Sequence, residues 1–363
     1  MCGFAVMISK NQRPVSREQV ERMSEDIAHR GPGDSGQWFS EWCGIGFRRL
    51  SIIDLSAHGH QPMMDPSGTY VIAYNGEVYN FRALRKDLKS EGVVFTSTSD
   101  TEVVLQAFIR WGEACINRFI GMFALVIVNV NTHEVFVARD RFGIKPLYYT
   151  QTEDYWLFSS EIKAFRTLTR FQLNQDALYE LFVFQAVAGR NTAYQDIYKV
   201  DAGSYWRFRP GRAPRSHVYA DITATLTPQQ PTDEREFMPA LEASLAESIA
   251  LHTESDVGYA VQLSGGVDSS FVTAVLARDL GAQLNTFSIT LEGSVHDESP
   301  YQQMVAKTFG TNHHEIGIGE HEFADAIDKA IWHMDAPPCR LELRHADAPL
   351  SAIGSHIQGH PYR

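Results

Sequence analysis

Apolar and polar positions alternate along the first half of the chain in many short segments, most of them with the two-residue period of a β-strand. Helical spacing, with apolar residues three or four positions apart, occurs in only a few stretches. The predicted strands are 2–9, 45–55, 70–74, 121–130 and 133–138, and the predicted helices are 16–28, 78–90 and one that begins near Asp100. Many strands with few helices predict sheets packed on each other, with the helices outside.

The pattern changes after residue 209. Residues 210–235 are polar and rich in proline, as linkers are. Beyond them, a strand at 257–263, a Ser/Gly loop, a helix and a strand at 284–291 form a βαβ unit, which predicts a parallel α/β sheet. The length of 363 residues also favours two domains.

The net charge, the cysteines and the lengths of the apolar runs argue against several classes of protein. The formal charge of -12 argues against a nucleic-acid surface, because phosphate binding needs clustered Lys and Arg. The four cysteines show neither a disulfide framework nor a CxxC pair, which favours a reducing compartment. No run approaches the ~20 apolar residues of a membrane helix. We therefore expect a cytoplasmic protein without nucleic-acid or membrane partners, and a homodimer is compatible with the sequence.

Cys2 follows the first methionine directly, and its small side chain permits removal of Met1. Its thiol and a free α-amine would then share one carbon atom. Thiolate is the nucleophilic form of cysteine, and an α-amine, with a pKa of about 7.7–8.0, is a suitable base near neutral pH. One residue could therefore provide nucleophile and base. The alternative is an ordinary cysteine at the start of a strand.

Three further positions carry polar groups that suit a binding site. One arginine of the pair Arg48-Arg49 could hold a carboxylate in two parallel hydrogen bonds, or both could be solvated residues at a strand end. Asn75-Gly76 is typical of a hairpin turn, but it also offers a side-chain amide and an open backbone N–H for an oxyanion. Asp100 is a suitable helix N-cap, and its carboxylate could equally receive an ammonium group.

Six motifs follow one another in the first half of the chain: Cys2, RGP at 30–32, RLSIID at 49–54, NGEVYN at 75–80, SDTE at 99–102 and RDRFG at 139–143. Together they resemble the glutaminase domain of glutamine-hydrolysing asparagine synthetases, a class II amidotransferase with an N-terminal cysteine nucleophile. The resemblance implies an α+β, N-terminal-nucleophile sandwich with αββα layers. It extends from residue 1 to about 335.

The resemblance also implies a role for each matching residue. Cys2 would attack the side-chain amide of glutamine and release ammonia, with Asn75 and Gly76 as the oxyanion hole. Arg49 would hold the α-carboxylate of glutamine, and Glu77 and Asp100 would hold its α-amine. The implied glutamine-binding residues are Arg49, Leu50, Ser51, Ile52, Ile53, Asn75, Gly76, Glu77 and Asp100. Arg48 has no such role, and we expect it to be structural.

The loop SGGVDSS at 264–270 follows a strand and opens a helix, an arrangement that offers N–H groups and a positive dipole end to phosphate. It matches the SGGxDS pyrophosphate loop of ATP pyrophosphatases. The resemblance implies an α/β, Rossmann-like domain that activates aspartate with Mg-ATP as a β-aspartyl-adenylate. The implied ATP-binding residues are Leu263, Ser264, Gly265, Gly266, Asp268, Ser269 and Ile289. Asp268 is also the candidate Mg²⁺ ligand.

The composition changes again near residue 338, after which no strand or helix period is visible. We expect a glutaminase domain at 1–209, a linker at 210–235, the N-terminal part of an ATP-binding domain at 236–337, and a tail at 338–363 that is read out of frame. Because the family's second acidic loop is absent, we expect the ATP-binding domain to be incomplete.

Four interpretations of the function remain open from the sequence. The first is glutamine-dependent asparagine synthesis, and the second is an amidotransferase that acts on another carboxylate. The third is a glutaminase alone, and the fourth is a non-catalytic interaction remnant.

Overall fold

The computed structural model describes residues 1–225, 233–279, 283–291 and 297–336. The chain divides into two compact units, Met1–Pro228 and Gln229–Arg363, and each is described by itself. The tail that we expect to be out of frame, 338–363, lies outside the described residues. Within the described ranges, no helix has the length and apolar composition needed to cross a membrane.

The first unit is built from two six-stranded sheets in which all neighbouring strands are antiparallel. Its strands are β1 (Gly3–Ser9), β2 (Asp34–Phe39), β3 (Cys43–Arg49), β4 (Met63–Met64), β5 (Tyr70–Val78), β6 (Gly121–Asn129), β7 (Glu134–Arg139), β8 (Tyr148–Gln151), β9 (Tyr155–Ser159), β10 (Tyr198–Lys199), β11 (Ser204–Phe208) and β12 (Arg215–Val218). The strand orders are β10-β8-β9-β1-β3-β2 and β12-β11-β7-β6-β5-β4. Its α-helices are α1 (Arg17–Glu25), α2 (Phe81–Ser90), α3 (Asp100–Trp111), α4 (Gln175–Phe184) and α5 (Ile222–Thr225).

Side-chain alternation along the strands explains the layers. Phe4, Val6 and Ile8 of β1 join one core with residues of β5, β6 and β7, so this core lies between the two sheets. Ala5 and Met7, on the other face of β1, pack with α1. The outer face of β5 packs against α2 and α3 in the same way. The order is therefore helix, sheet, sheet, helix, which confirms the predicted αββα sandwich.

Three element boundaries in the first unit differ from the prediction. The strand predicted over 45–55 ends at Arg49, because the chain leaves the sheet and turns at Asp54, which has a φ of 56°. The predicted break at 75–77 is wrong, because β5 continues to Val78 in register with β6. The helix predicted from residue 78 consequently begins only at Phe81.

In its described residues, the second unit contains three parallel strands, β13 (Ala260–Gln262), β14 (Asn285–Leu291) and β15 (Asn312–Ile318). Its helices are α6 (Glu234–His252), α7 (Val267–Asp279), α8 (Ser299–Phe309) and α9 (Glu320–Met334). Because α7 connects β13 to β14, the predicted βαβ unit is confirmed. The predicted linker, 210–235, includes β12, which pairs with β11 and so extends a sheet of the first unit.

Candidate active site

A pocket with about 500 Å³ of empty space lies beside Cys2. It is bordered by the start of β1, the end of β3 with the loop that follows it, β5, and the start of α3. Of the residues predicted for the glutaminase site, all except Ser51 line it: Cys2, Arg49, Leu50, Ile52, Ile53, Asn75, Gly76, Glu77 and Asp100. The structure therefore gathers residues that stand almost one hundred positions apart in the sequence.

The Cys2 thiol lies against the backbone of Leu50. Its Sγ atom is 3.4 Å from the Leu50 amide nitrogen, which donates to it, and 3.5 Å from the Leu50 carbonyl oxygen. Burial raises the pKa of the Cys2 thiol, and the Leu50 N–H only partly opposes this effect. A nucleophilic thiolate at this position therefore needs a base close by.

The α-amine at the start of the chain is a weaker base in this pocket than in water, so it loses its proton at a lower pH. The amine of Met1 has its pKa lowered to about 6, first by burial and then by the nearby charges of Arg30 and Lys145. The charge of a Cys2 thiolate opposes these effects. An amine in this environment is therefore unprotonated at neutral pH and free to accept a proton.

Asn75 and Gly76 lie side by side inside β5, opposite Ala124 and Phe123 of β6. The hairpin interpretation of this pair is therefore wrong. Asn75 is 1% exposed, and its Nδ2 atom has no hydrogen-bond partner among the residues that the structure describes. A buried amide that donates to nothing is costly unless a ligand accepts its hydrogen bond. The pair can therefore hold an oxyanion.

Arg49 is buried at the end of β3, and the chain around it fixes its guanidinium group. Nη1 donates to the carbonyl of Ser56 at 3.1 Å, and Nη2 donates to the carbonyl of Asp54. The Asp34 carboxylate lies 3.8 Å from Nη1. Because the hydrogen bonds of Arg49 go to uncharged carbonyls and the Asp34 carboxylate is 3.8 Å away, Arg49 can still present positive charge to a carboxylate in the pocket. Arg48, in contrast, donates to Ser24 from Nε, as a structural residue would.

Asp100 occupies the first turn of α3, and the structure corrects its predicted role as the N-cap. Ser99 is the cap, because its Oγ accepts from the Thr101 N–H at 3.0 Å. The Asp100 carboxylate accepts from the Tyr74 hydroxyl at 2.8 Å and from the Val78 N–H at 3.2 Å. Burial raises the pKa of Asp100 to about 6, although these hydrogen bonds lower it. Glu77 lines the same pocket from β5.

Sequence reasoning missed several pocket residues: Met1, Gly59, Gln61, Tyr74, Ser99, Thr101 and Lys145. The Gln61 side chain bridges to β5, since Oε1 accepts from the Tyr74 N–H at 2.7 Å and Nε2 donates to the Tyr74 carbonyl at 3.1 Å. Nothing in the local sequence marks Gln61. Lys145 lies two residues after the RDRFG motif, and this proximity is a sequence signal for it.

A buried ion network anchors the start of the chain through the carbonyl of Cys2. Arg30 donates from Nε to the Cys2 carbonyl at 2.8 Å and from Nη1 to Glu161 at 2.7 Å. Lys163 pairs with the same carboxylate, and His29 lies 3.0 Å from it. Burial alone would raise the pKa of Glu161, but the hydrogen bond from His29 and the charges of Lys163 and Arg30 lower it to about 2. This network fixes the position of Cys2.

In the second unit, the predicted phosphate loop joins β13 to α7. Gly265 has a φ of 80°, and a Cβ atom there would lie 2.9 Å from Cβ of Tyr301. The hydroxyl groups of Ser264 and Ser269 are 2.9 Å apart and close the loop. The backbone N–H of Leu263 donates to the Phe287 carbonyl at 2.7 Å, next to the parallel pairing of β13 and β14. Leu263 and Ile289 therefore lie toward the same carboxyl end of the sheet. The loop is therefore compact and lies directly before the N-terminus of α7.

Asp268 lies exposed in the first turn of α7. Among the described residues, no group of three or more His, Cys, Asp or Glu side chains could hold a metal ion. Mg²⁺ at nucleotide sites commonly uses one or two carboxylates together with phosphate oxygens. Asp268 fits that requirement as a single carboxylate beside a phosphate loop.

Comparison with known proteins agrees with this arrangement. A model of the glutamine amidotransferase domain matches residues 1–220, and a model of asparagine synthase matches residues 240–353. The chain is 36% identical over 341 residues to asparagine synthetase (glutamine-hydrolyzing) 1 of Bacillus subtilis (strain 168), covering 93% of this chain and 53% of that protein. It is 30% identical over 367 residues to asparagine synthetase (glutamine-hydrolyzing) 3 of the same strain, covering 93% and 57%. The chain thus spans about half the length of these relatives.

A solved structure of glutamine phosphoribosylpyrophosphate amidotransferase from B. subtilis, in complex with ADP and GMP, superposes with a TM-score of 0.46. Its sequence identity to this chain is 15%, and the match covers 87% of this chain and 65% of that one.

Proposed function

Because this chain belongs to the family of glutamine-hydrolysing asparagine synthetases, we propose that its first unit hydrolyses glutamine and that its second unit takes part in ATP-dependent synthesis of asparagine from aspartate. One observation carries the proposal. The Cys2 thiol lines the same pocket as the Asn75 amide, whose Nδ2 has no hydrogen-bond partner within the described ranges, as a nucleophile and an oxyanion donor must.

Glutamine would bind with each of its two charged groups next to a pocket residue of opposite charge. The Arg49 guanidinium group suits the α-carboxylate, and the carboxylates of Glu77 and Asp100 suit the α-ammonium group. Leu50, Ile52 and Ile53 would border the aliphatic part of the substrate. The side-chain amide of glutamine would then lie toward Cys2.

Removal of Met1 would expose the Cys2 α-amine, which takes the thiol proton. The thiolate forms a bond to the amide carbon, and the oxyanion receives hydrogen bonds from Asn75 Nδ2 and the Gly76 N–H. The carbon–nitrogen bond then breaks, and nitrogen leaves as ammonia with a proton returned by the α-amine. Water hydrolyses the thioester in a second step, which releases glutamate and restores the Cys2 thiol.

The second unit would bind ATP at the loop around Gly265, and a Mg²⁺ ion held by Asp268 would offset phosphate charge there. The β-carboxylate of aspartate would attack the α-phosphorus, and pyrophosphate would leave. Ammonia would then displace AMP from the adenylate and give asparagine. Asp268 would hold the metal, and the loop N–H groups would hold the phosphates.

The test is to measure ammonia and pyrophosphate release from the same samples, with glutamine alone and with aspartate and Mg-ATP added. Pyrophosphate and asparagine that rise together, with ammonia release lost in Cys2→Ala, would support the proposal in full. Ammonia without pyrophosphate would show a glutaminase alone, and pyrophosphate with another carboxylate would identify a different acceptor. If the wild-type chain, shown by mass spectrometry to begin at Cys2, released no ammonia, the glutaminase proposal would be wrong.

We also propose a cytoplasmic location. The described cysteines Cys2, Cys43 and Cys115 are all free thiols, as expected in a reducing compartment. A homodimer is the assembly that we propose, and size-exclusion chromatography with light scattering would test it.

A further inference from the structure

The loop that follows β7 is built to hold one lysine in a fixed position. The Asp140 carboxylate accepts hydrogen bonds from the N–H groups of Ile144 at 2.9 Å and Lys145 at 3.0 Å. Arg139 donates to the carbonyl of Lys145 at 2.8 Å and to that of Gly143 at 2.7 Å. The RDRFG motif therefore positions the backbone of Lys145, although no part of the proposed mechanism uses that residue.

The side chain of Lys145 lines the pocket of Cys2 and is 4% exposed. In the part of the chain that the structure describes, its Nζ atom has one polar contact, the Met1 sulfur at 3.6 Å. A thioether is a weak acceptor, and removal of Met1 would take even this contact away. A buried ammonium group without an oxygen partner destabilises the folded state. Such a group is expected at a functional position rather than a structural one.

Five charged groups surround the start of the chain, each from a different element. Arg30 comes from the 3₁₀ helix Ala28–Arg30, Arg49 from β3, and Lys145 from the loop after β7. Glu77 comes from β5 and Asp100 from α3. Arg30 is paired with Glu161, and Arg49 lies 3.8 Å from the Asp34 carboxylate, so Lys145 is the cation of these three whose contacts compensate its charge least.

We propose that Lys145 is a positioning residue of the glutaminase site, whose ammonium group repels a proton from the α-amine of Cys2 and so keeps that amine a free base. The inference rests on the proposed glutaminase function. Two positive groups close together in a buried pocket disfavour each other's charged form, and a fixed ammonium group acts without taking part in bond making. Arg30 assists, but its charge is shared with Glu161.

The direct test is an NMR titration of the Cys2 α-amine in the processed protein labelled with ¹⁵N-cysteine, because an amine nitrogen resonates apart from amide nitrogens. We expect Lys145→Met to raise the acid dissociation pKa of this amine by about one unit, a tenfold change, and Lys145→Arg to restore it. Lys199→Met is the matched control. Lys199 lies in the same unit, is half-buried, donates to the Val187 carbonyl and does not line the pocket.

The activity of the same variants should follow the titration. For Lys145→Met, kcat/KM for glutamine should fall about fivefold at pH 6 and stay within about twofold of wild type at pH 9, where the amine is free in both. A uniform loss at every pH would indicate a structural role and overturn the proposal. Thermal unfolding checks that each variant is folded, and Lys145→Gln serves if the methionine variant is not.

The titration separates this inference from the proposed function. An unchanged amine pKa in Lys145→Met would overturn the role of Lys145, whether or not ammonia is released. The amine pKa could instead shift in Lys145→Met while the wild-type protein releases no ammonia. That result would support the electrostatic role of Lys145 and contradict the glutaminase function.

Discussion

The polar side chains around Cys2 are held in states that cost the folded protein free energy. The Asn75 amide nitrogen is buried without a partner in the described part of the chain, and burial raises the pKa values of both the Cys2 thiol and Asp100. A substrate with a carbonyl oxygen and an ammonium group would relieve these costs when it binds. The residues are therefore preorganised for a ligand rather than for stability.

Asn75→Ala should separate catalysis from stability. We expect kcat for ammonia release to fall about 100- to 1000-fold, because an oxyanion donor is lost, with little change in KM. The free energy of unfolding should change by less than about 1 kcal/mol, because no hydrogen bond of Nδ2 is removed. The exposed Asn117→Ala is the control for both measurements. A kcat within threefold of wild type would exclude Asn75 from the oxyanion hole.

Asp100→Asn should act on substrate binding. Loss of a charged partner for the α-ammonium group should raise KM for glutamine about 10- to 100-fold, while kcat changes little. In the wild type, KM should rise as the pH falls through about 6, because Asp100 becomes protonated there and no longer attracts an ammonium group. The variant should lack this pH dependence.

Steady-state kinetics from pH 5 to 8 would check this prediction. Asp87→Asn, on the exposed side of α2, is the matched control and should behave like the wild type. A KM for Asp100→Asn within twofold of wild type at pH 7 would show that Asp100 does not bind the amine.

At the scale of elements, β5 provides residues that line the pocket, and the segment after β9 anchors the start of the chain. β5 places Tyr74, Asn75, Gly76 and Glu77 along one edge of the pocket. Its neighbour β6 approaches so closely that a Cβ atom on Gly76 would lie 2.5 Å from the Met122 carbonyl oxygen. Glu161, just beyond β9, anchors Arg30 and through it the Cys2 carbonyl. The nucleophile is thus anchored by residues that lie just outside the strands of the sheet.

Glu161→Gln should reveal this anchor in acid unfolding. The folded-state pKa of about 2 is below the unfolded value of about 4.3, so the carboxylate contributes stability above pH 4.3 that is lost as the pH falls toward 2. The shift corresponds to about 3 kcal/mol at pH 7. Removing the charge also leaves Arg30 and Lys163 uncompensated, and we expect a loss of about 3–5 kcal/mol.

Urea unfolding of the wild type and the variant at pH 7 and pH 3 measures this loss. The difference between the two proteins should be large at pH 7 and smaller at pH 3. Glu18→Gln, in an exposed pair with Arg22, should change stability by less than about 1 kcal/mol. An equal difference at both pH values would argue against an ionised Glu161 as the source of the stability.

At the scale of the whole molecule, the two proposed sites lie in different units. The pocket beside Cys2 is lined by residues of the first unit, and the Ser/Gly loop at 264–270 lies within the second. The net charge of -12 disfavours binding to a nucleic-acid phosphate backbone.

Gly265→Ala should therefore affect one activity and spare the other. Its Cβ would meet Tyr301 at 2.9 Å in a backbone with a φ of 80°, so the loop must shift, and Mg-ATP binding measured by calorimetry should weaken at least about tenfold. Ammonia release without ATP should stay within about twofold of wild type. Gly310→Ala is the matched control, because Gly310 has a similar φ of 65° but open space around its Cβ position. Unchanged Mg-ATP binding by Gly265→Ala would contradict the assignment of the loop.

The sequence by itself determined the features that depend on short-range chemistry. The two-residue period of the strands predicted the sheets and their layers, since alternation decides which face is buried. The Ser/Gly loop between a strand and a helix predicted the βαβ unit, and the motifs predicted which polar residues gather. Each of these signals is contained in a few neighbouring residues.

Only the tertiary structure decided how those residues are presented. Asn75-Gly76 is a turn sequence, yet pairing with β6 keeps it in a strand, because a long register outweighs a local preference. Ser99 rather than Asp100 caps α3, which leaves the carboxylate for the pocket. Lys145 and Gln61 enter the site through loop anchors far from Cys2 in sequence. Burial, register and charge environment are properties of contacts between distant segments, so no local pattern encodes them.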